Sequence, residues 1–237
     1  MTVSVSEIVM IKLFVFKISE ENEDILLDKM SLLSYELIQK TSGYRIKRDR
    51  ALSLSGKLML LCFAERFKND EFKEINHITD PSVFKKEYFS ESTVVFGTNG
   101  KGYLEGRSDV FFNISHSKDY CVCAFSDKEI GVDIQEIRKI RFDAAKKFFS
   151  AKDNEFIFSG QECDTQDHET LRRINMVWCA KESYVKFTGK GIGGGIKSFY
   201  EDFDDMTVRD MKDGKILARL MKFEVDEGYY CFCSHNG

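Results

Sequence analysis

The stretch WCAKESYVK at residues 178–186 and the shorter stretch GVD at 131–133 are the most informative parts of the chain. The first has helical spacing, with Glu182 and Lys186 one turn apart and Trp178 one turn before Glu182. An aromatic ring, a carboxylate and an ammonium therefore share one helix face. Asp133 lies in an apolar, strand-like run. The two stretches predict a helix and a strand that each carry a carboxylate.

These two carboxylates indicate a kind of chemistry. One on a strand and one on a helix suit a hard, oxygen-preferring cation that leaves room for substrate phosphates. The pattern indicates a metal-dependent phosphoryl-group transferase. A simpler interpretation also fits, because Glu182 and Lys186 have the orientation of an ordinary surface ion pair worth about 0.2–0.5 kcal/mol. The residues alone leave both interpretations open.

Composition limits the class of protein. A chain of 237 residues with 43% apolar residues, 31% charged residues and one proline is globular and can form one large or two small domains. The net charge of −4 gives no reason to expect nucleic acid as a partner. No apolar run reaches the length of a membrane span, and the first residues lack the features of a signal peptide. We expect a cytoplasmic protein without membrane contact.

The seven cysteines are a possible sign of zinc or disulfides. The pairs Cys121/Cys123 and Cys231/Cys233 lie in apolar, strand-like runs, where residues two apart face the same side. Zinc knuckles usually place two to four residues between their cysteines, on turns. The odd number of cysteines and the expected compartment also argue against a disulfide framework. We expect buried thiols that serve as small apolar side chains.

The apolar patterns divide the chain into two halves of similar plan, with predicted domains at 1–124 and 125–237. Strands are predicted at 8–16, 94–96, 111–114, 120–125, 130–134, 206–211, 215–220 and 229–233. Helices are predicted at 20–39, from 49, at 142–149, from 151 and at 168–187. Ser150 and Asp153 have the spacing of a capping box. Residues 160–167 are polar and predicted to be a mobile connection.

Several motifs, in order along the chain, resemble one known family. They are DRALSLSG at 49–56, GKG at 100–102, FNISHS at 112–117, GVDI at 131–134, FFS at 148–150, and WCAKESYVK at 178–186 followed by GKG at 189–191. From residue 8 nearly to the C-terminus, the chain resembles the larger, pseudo-dimeric 4′-phosphopantetheinyl transferases of the surfactin-synthetase-activating class. The resemblance implies an α+β fold. Two similar subdomains in a pseudo-twofold arrangement would each pack a small antiparallel sheet on a long helix, with the site between them.

The resemblance also implies the reaction. The 4′-phosphopantetheine group of coenzyme A would pass to a serine of an apo acyl, peptidyl or aryl carrier protein, and 3′,5′-ADP would leave. In similar enzymes, the carboxylate matching Glu182 is a candidate base for the serine proton, directly or through water. The lysine matching Lys186 neutralises or protonates the leaving group. A non-catalytic coenzyme A or carrier-protein binding module is the alternative, and the pseudo-dimeric layout implies a monomer.

The predicted metal is Mg²⁺, with Mn²⁺ as the alternative ion. The resemblance implies Asp133 and Glu182 as ligands. Many relatives carry an acidic third ligand at the position of Gln135, which can offer a neutral carbonyl oxygen or leave the place to water. We expect weaker metal binding than in a relative with that acid.

Coenzyme A needs further contacts for its phosphates and adenine. Ser115 and His116 follow a strand at a turn, where hydroxyl, imidazole and backbone amides can converge on phosphate oxygens. The resemblance adds Lys40, Ser53, Lys101 and Lys181 as coenzyme-binding residues. Gly102 replaces a proline that relatives carry after the lysine matching Lys101. Leu52 stands where relatives often have arginine, which puts one basic contact in doubt.

Two further classes of enzyme deserve comparison. A hydrolase built from Ser115, His116 and Asp133 lacks the G-x-S-x-G elbow, and an adjacent serine and histidine cannot easily face each other. The glycine cluster at 193–195 follows a predicted helix instead of a strand, so it lacks the setting of a dinucleotide-binding loop. Neither class is favoured.

Overall fold

The computed structural model describes residues 9–97, 100–139, 147–158, 167–191, 193 and 195–236. Its contacts group residues 11–127 into an N-terminal unit and residues 128–237, with 1–10, into a C-terminal unit. Each unit combines helices with a small, mainly antiparallel sheet, as the predicted α+β class requires. Within the described ranges, every helix is too short or too polar to cross a lipid bilayer.

The N-terminal unit contains three α-helices and six strands among its described residues. They are β1 (Ile11–Lys17), α1 (Glu20–Asp28), α2 (Tyr35–Ser42), α3 (Lys47–Phe63), β2 (Ile75–Ile78), β3 (Val94–Phe96), β4 (Gly102–Leu104), β5 (Phe111–Ser117) and β6 (Tyr120–Ser126). The main sheet has the order β2-β1-β6-β5, and β3 pairs with β4 separately. Only β2 in that sheet runs parallel to its neighbour, because the long connection from β1 through the helices returns the chain in the same direction.

Helix α3 forms the core of this unit against the sheet. Nearly all of its side chains from Ala51 onward are buried. Gly56 lies so close to the sheet that an added Cβ would be 2.6 Å from Ile114 Cγ2 and 3.1 Å from Cys121 Sγ. The missing side chain therefore sets how closely α3 approaches β5 and β6.

The helix predicted at 20–39 is wrong as one element. Helix α1 ends in a 3₁₀ turn at Lys29–Leu32, after which Leu33 and Ser34 are extended and α2 begins at Tyr35. Ser34 occupies the N-cap of α2, a position that favours serine. The apolar pattern runs through this break and conceals it.

The C-terminal unit contains two α-helices and five strands among its described residues. They are β7 (Ile130–Glu136), α4 (Ala151–Phe158), α5 (His168–Thr188), β8 (Phe199–Asp202), β9 (Thr207–Asp210), β10 (Ile216–Lys222) and β11 (Tyr229–His235). The sheet order is β7-β11-β10-β9-β8, and all its pairs are antiparallel. The predicted helix at 142–149 and the polar connection at 160–167 fall largely outside the described residues.

Both described helices of this unit have defined ends. Ser150 and Asp153 make the reciprocal backbone-to-side-chain hydrogen bonds of the predicted capping box, at 2.6 and 3.2 Å. Asp167 caps α5 by accepting from the Thr170 amide at 2.8 Å. Gly189 ends α5 with a φ of 65°, which glycine adopts without steric cost.

The cysteines behave as predicted. The six described ones are free and buried: Cys62, Cys121, Cys123, Cys179, Cys231 and Cys233. Burial raises the pKa of the Cys123 and Cys233 thiols well above the ordinary value. These thiols are therefore protonated, apolar core groups.

Candidate active site

Close contact between α5 and β7 creates the candidate site. Gly131 on β7 faces the backbone of α5, and an added Cβ would be 2.2 Å from both Phe187 N and Ser183 O. On the next strand, the hydroxyls of Ser183 and Ser234 lie 2.7 Å apart and join α5 to β11. The helix is thus held against two strands, and the acidic residue of β7 lies next to the polar face of α5.

Asp133 and Lys186 form the best-defined contact of the site. Lys186 Nζ donates to Asp133 Oδ1 at 2.6 Å. Asp133 is only 6% exposed, so the lysine compensates a carboxylate that would otherwise be costly to bury. Lys186 therefore connects α5 to β7, which the helical spacing of Glu182 and Lys186 could not show.

Glu182 has a different environment from Asp133. Its Oε1 atom is buried and has no hydrogen-bond partner among the described residues. Burial raises the pKa of Glu182, the Asp133 carboxylate raises it further, and Lys186 opposes both effects. Two neighbouring carboxylates thus share one lysine, and a carboxylate oxygen lacks a partner. This arrangement suits a cation that accepts oxygen ligands, so the residues fit a divalent metal.

Gln135 lies on the same face of β7 as Asp133, because alternate residues of a strand share a face. It is 8% exposed, and its Nε2 donates to the Glu136 carbonyl at 3.0 Å. The described residues contain no cluster of three or more His, Cys, Asp or Glu side chains that could hold a metal. Within the part of the chain that the structure describes, a third protein ligand beside Asp133 and Glu182 would be a neutral group such as Gln135.

Trp178 is the aromatic anchor of the helix face. Its ring packs edge-on against Phe148, with ring centroids 5.5 Å apart. The same side of the unit contains Phe149, Ile157, Ile174 and Val177. Trp178 thus contributes to the packing of α5.

The N-terminal unit places the other predicted residues on neighbouring elements. Lys40 Nζ is 3.2 Å from Glu36 Oε1 and 3.1 Å from the centroid of the Phe96 ring. The Ser53 hydroxyl accepts from Lys57 at 2.6 Å. The His116 ring contacts that of Tyr44, with centroids 6.5 Å apart.

The comparisons with known proteins agree with these contacts. Residues 129–235 match the model of the 4′-phosphopantetheinyl transferase superfamily. These residues include β7, α5 and all three polar groups of the site. Over this region the chain is similar to the 4′-phosphopantetheinyl transferase superfamily.

Individual relatives extend the similarity to most of the chain. The 4′-phosphopantetheinyl transferase Sfp of Bacillus subtilis (strain 168) is 28% identical over 209 residues, covering 78% of this chain and 88% of the relative. The 4′-phosphopantetheinyl transferase gsp of Aneurinibacillus migulanus is 29% identical over 204 residues, covering 86% and 76%. The 4′-phosphopantetheinyl transferase psf-1 of Bacillus pumilus is 35% identical over 133 residues, covering 55% and 52%.

The structure corrects the predicted role of Lys181. Its side chain is fully buried, with Nζ 2.9 Å from Asp153 Oδ2, 3.3 Å from Glu201 Oε2 and 3.0 Å from the Phe199 carbonyl. Such an ammonium cannot reach a coenzyme that arrives from solvent. Lys181 instead joins α5 to α4 and β8. Although Lys181 is next to Glu182 in sequence, helical spacing turns its side chain about 100° away from that of Glu182.

Ser115 and His116 lie side by side on β5 and point to opposite faces. Ser115 is 5% exposed, and His116 is exposed on the face of β5 that also carries Ile114, which contacts α3. Asp133 already pairs with Lys186 and belongs to the other unit. A hydrolytic triad of these residues therefore has no support.

Lys101 lies in the turn between β3 and β4. The Gly97 amide donates to the Lys101 carbonyl at 2.9 Å and so joins the two ends of this turn.

A cavity of about 740 Å³ lies elsewhere in the N-terminal unit. Strand β2 and aromatic side chains that include Phe72 and Tyr88 line it. It lies at the β2 edge of the sheet, whereas Ser115 and His116 belong to β5 at the opposite edge. None of the predicted site residues lines this cavity.

Proposed function

We propose that this chain transfers the 4′-phosphopantetheine group of coenzyme A to a serine of an apo carrier protein. The serine oxygen forms a bond to the phosphorus attached to pantetheine. The bond from that phosphorus to the bridging oxygen breaks, and 3′,5′-ADP leaves with the electron pair. The observation that carries the proposal is the Asp133, Glu182 and Lys186 arrangement, in the part of the chain that matches the superfamily.

Asp133 and Glu182 are proposed to hold Mg²⁺, or Mn²⁺ as the alternative, with Gln135 or water as a further ligand. A bound divalent ion would offset the negative charge of the pyrophosphate. The unpartnered Glu182 oxygen and the limited positive charge nearby support this proposal. Asp133 keeps its ion pair with Lys186, which holds the lysine at the same place.

The protein's own side chains then have separate tasks. The Glu182 carboxylate is also a proposed acceptor for the serine proton, directly or through water. Lys186 Nζ is proposed to neutralise the leaving group. Lys40, Ser53, Lys101, Ser115 and His116 are proposed to bind coenzyme A.

The proposed partners are coenzyme A and apo acyl, peptidyl or aryl carrier proteins. The names of the relatives state phosphopantetheinyl transfer and support this choice. We propose a cytoplasmic monomer, and the free, buried thiols agree with a reducing compartment. Nucleic acid and membrane are not among the proposed partners.

The decisive assay incubates the chain with an apo carrier protein, coenzyme A and Mg²⁺ and measures the mass of the carrier. The proposal expects a mass increase of one phosphopantetheine group and release of 3′,5′-ADP. Binding of coenzyme A without any mass increase on a panel of acyl, peptidyl and aryl carriers would support the non-catalytic binding module instead.

A further inference from the structure

One face of α3 carries two cations around a hydroxyl. Arg50, Ser53 and Lys57 have the spacing i, i+3 and i+7, which places them along one side of a helix. Lys57 Nζ donates to the Ser53 hydroxyl at 2.6 Å and lies 3.3 Å from the Ser53 carbonyl oxygen. The lysine side chain therefore runs back along α3 towards Arg50. We call these three residues the α3 cationic face.

The cations of this face have no acidic partner among the described residues. Arg50 Nε is buried without a hydrogen-bond partner. The charged or titratable groups that act on Lys57 are the Lys40 ammonium from α2 and the Cys121 thiol from β6. Burial, and to a smaller extent Lys40, lowers the pKa of Lys57 to about 8. Cations that are partly desolvated and lack a carboxylate form a place where an anion is favourable.

The α3 cationic face adjoins other polar residues of the same unit. Gly56 packs against Ile114 and Cys121, and the Cys121 thiol of β6 also acts on Lys57. His116 on β5 is the register partner of Cys121 on β6. Lys40 of α2 is close enough to Lys57 to lower the pKa of its ammonium. Lys40 is paired with Glu36 of its own helix, so the positive charge in this part of the N-terminal unit comes from Arg50 and Lys57.

We propose that Arg50 and Lys57 are further coenzyme-binding residues, which bind a phosphate at the nucleotide end of coenzyme A together with the Ser53 hydroxyl. This inference rests on the proposed function, which supplies coenzyme A as the ligand. Leu52 on the same helix is apolar and only 2% exposed, so Arg50 and Lys57 supply the positive charge beside the Ser53 hydroxyl.

The test measures binding of 3′,5′-ADP and coenzyme A by titration calorimetry, without a carrier protein. Lys57→Gln and Arg50→Gln should each weaken 3′,5′-ADP binding about tenfold or more, because each removes a charge-assisted hydrogen bond to phosphate. Lys57→Arg keeps the charge and should retain most of the affinity. The matched control is Lys73→Gln, since Lys73 is an exposed lysine of the same unit and should leave affinity unchanged.

Proton uptake by the wild-type protein on binding 3′,5′-ADP provides a second test, which does not depend on the folding of the glutamine variants. An anion bound to Lys57 raises its pKa, so the folded wild-type protein should take up about half a proton at pH 8 when 3′,5′-ADP binds. Calorimetry in buffers of different ionisation enthalpy measures this uptake. Lys57→Arg should reduce it, because arginine stays protonated.

The outcomes separate the two proposals. Wild-type affinity for 3′,5′-ADP in both glutamine variants, or equal proton uptake in wild type and Lys57→Arg, would overturn the role of the α3 cationic face. Transfer activity would then still stand. If the wild-type protein binds neither coenzyme A nor 3′,5′-ADP and modifies no carrier, the proposed function itself fails.

Discussion

At the scale of single residues, the site depends on two carboxylates in unequal surroundings. Asp133 is held by a 2.6 Å ion pair with Lys186, while Glu182 keeps a buried oxygen without a partner among the described residues. Proteins rarely leave such an oxygen unsatisfied unless a ligand or ion completes it. The inequality assigns Asp133 to a fixed role and leaves Glu182 available for an incoming group.

Gln135 allows the metal proposal to be tested at one position. Gln135→Glu adds a negative charge on the β7 face that carries Asp133, so the Mg²⁺ concentration for half-maximal transfer should fall several-fold. The measurement is a Mg²⁺ titration of carrier modification. Glu136→Gln is the matched control, because residue 136 points to the other face of β7. An unchanged metal dependence in Gln135→Glu would remove position 135 from the ligand set.

At the scale of elements, the distance between β7 and α5 governs both folding and the site. Gly131→Ala would place a methyl group 2.2 Å from two backbone atoms of α5, which cannot move as a side chain can. We expect the free energy of unfolding to fall by about 3 kcal/mol or more. This loss is at the upper end of the range that is typical of overpacked cores. Urea denaturation measures this change, with Gly193→Ala as the control because nothing lies within 4 Å of its added Cβ. Equal stability of the two variants would contradict the close packing.

The buried lysine of α5 provides a second test at this scale. Lys181→Met leaves Asp153 and Glu201 without their shared cation and should cost about 3–5 kcal/mol of unfolding free energy. Glu201→Gln should cost much less, because burial already raises the pKa of Glu201 well above its ordinary value of 4.5 and favours the neutral form. Chemical denaturation of both variants provides the comparison, and a similar loss in both would show that Glu201 is charged.

The Glu201 carboxyl also makes the stability of the protein depend on pH in a defined direction. The folded-state pKa of Glu201 is above the unfolded value, so the folded protein binds the proton more tightly. Stability from this group is complete below about pH 4.5 and is lost as pH rises through the folded pKa. The Glu201→Gln variant should therefore show a smaller decline of stability with rising pH than the wild type.

Sequence patterns predicted the long elements better than the short ones. β1, β6, β7, β11 and α5 lie close to their expected positions, because long apolar runs or clear helical spacing define them. Strands β2, β4 and β8 were missed, since three or four residues carry too little periodicity to identify them. Ser34 interrupts a continuous apolar pattern, and only the extended backbone there shows that α1 and α2 are separate.

The identity of the site residues stays a prediction, and the sequence predicted few of their contacts. Helical spacing correctly grouped Glu182 with Lys186 on α5, but the partner of Lys186 lies on β7 and depends on tertiary packing. Lys181 was misplaced for the same reason, because the carboxylates that bury it come from α4 and β8. Lys57 could have been found from its position four residues after Ser53, on the same helix face.

At the scale of the whole molecule, a chain with a net charge of −4 is proposed to bind an anionic coenzyme. Overall attraction cannot provide this binding, so locally placed cations must. In the N-terminal unit, the proposed cations of this kind are Lys40, Arg50 and Lys57. Coenzyme binding should therefore weaken with added salt.

The most direct test of the account is the mass of an apo carrier protein after incubation with coenzyme A, Mg²⁺ and either the wild-type chain or the double variant Asp133→Ala, Glu182→Ala. The wild type should add one phosphopantetheine group. The double variant should be slower by at least about 100-fold, because both acids that would hold the divalent ion are gone. Glu155→Ala, which removes an exposed carboxylate paired with Lys152, is the control and should retain activity. Carrier modification at the wild-type rate by a folded double variant would contradict the central claim.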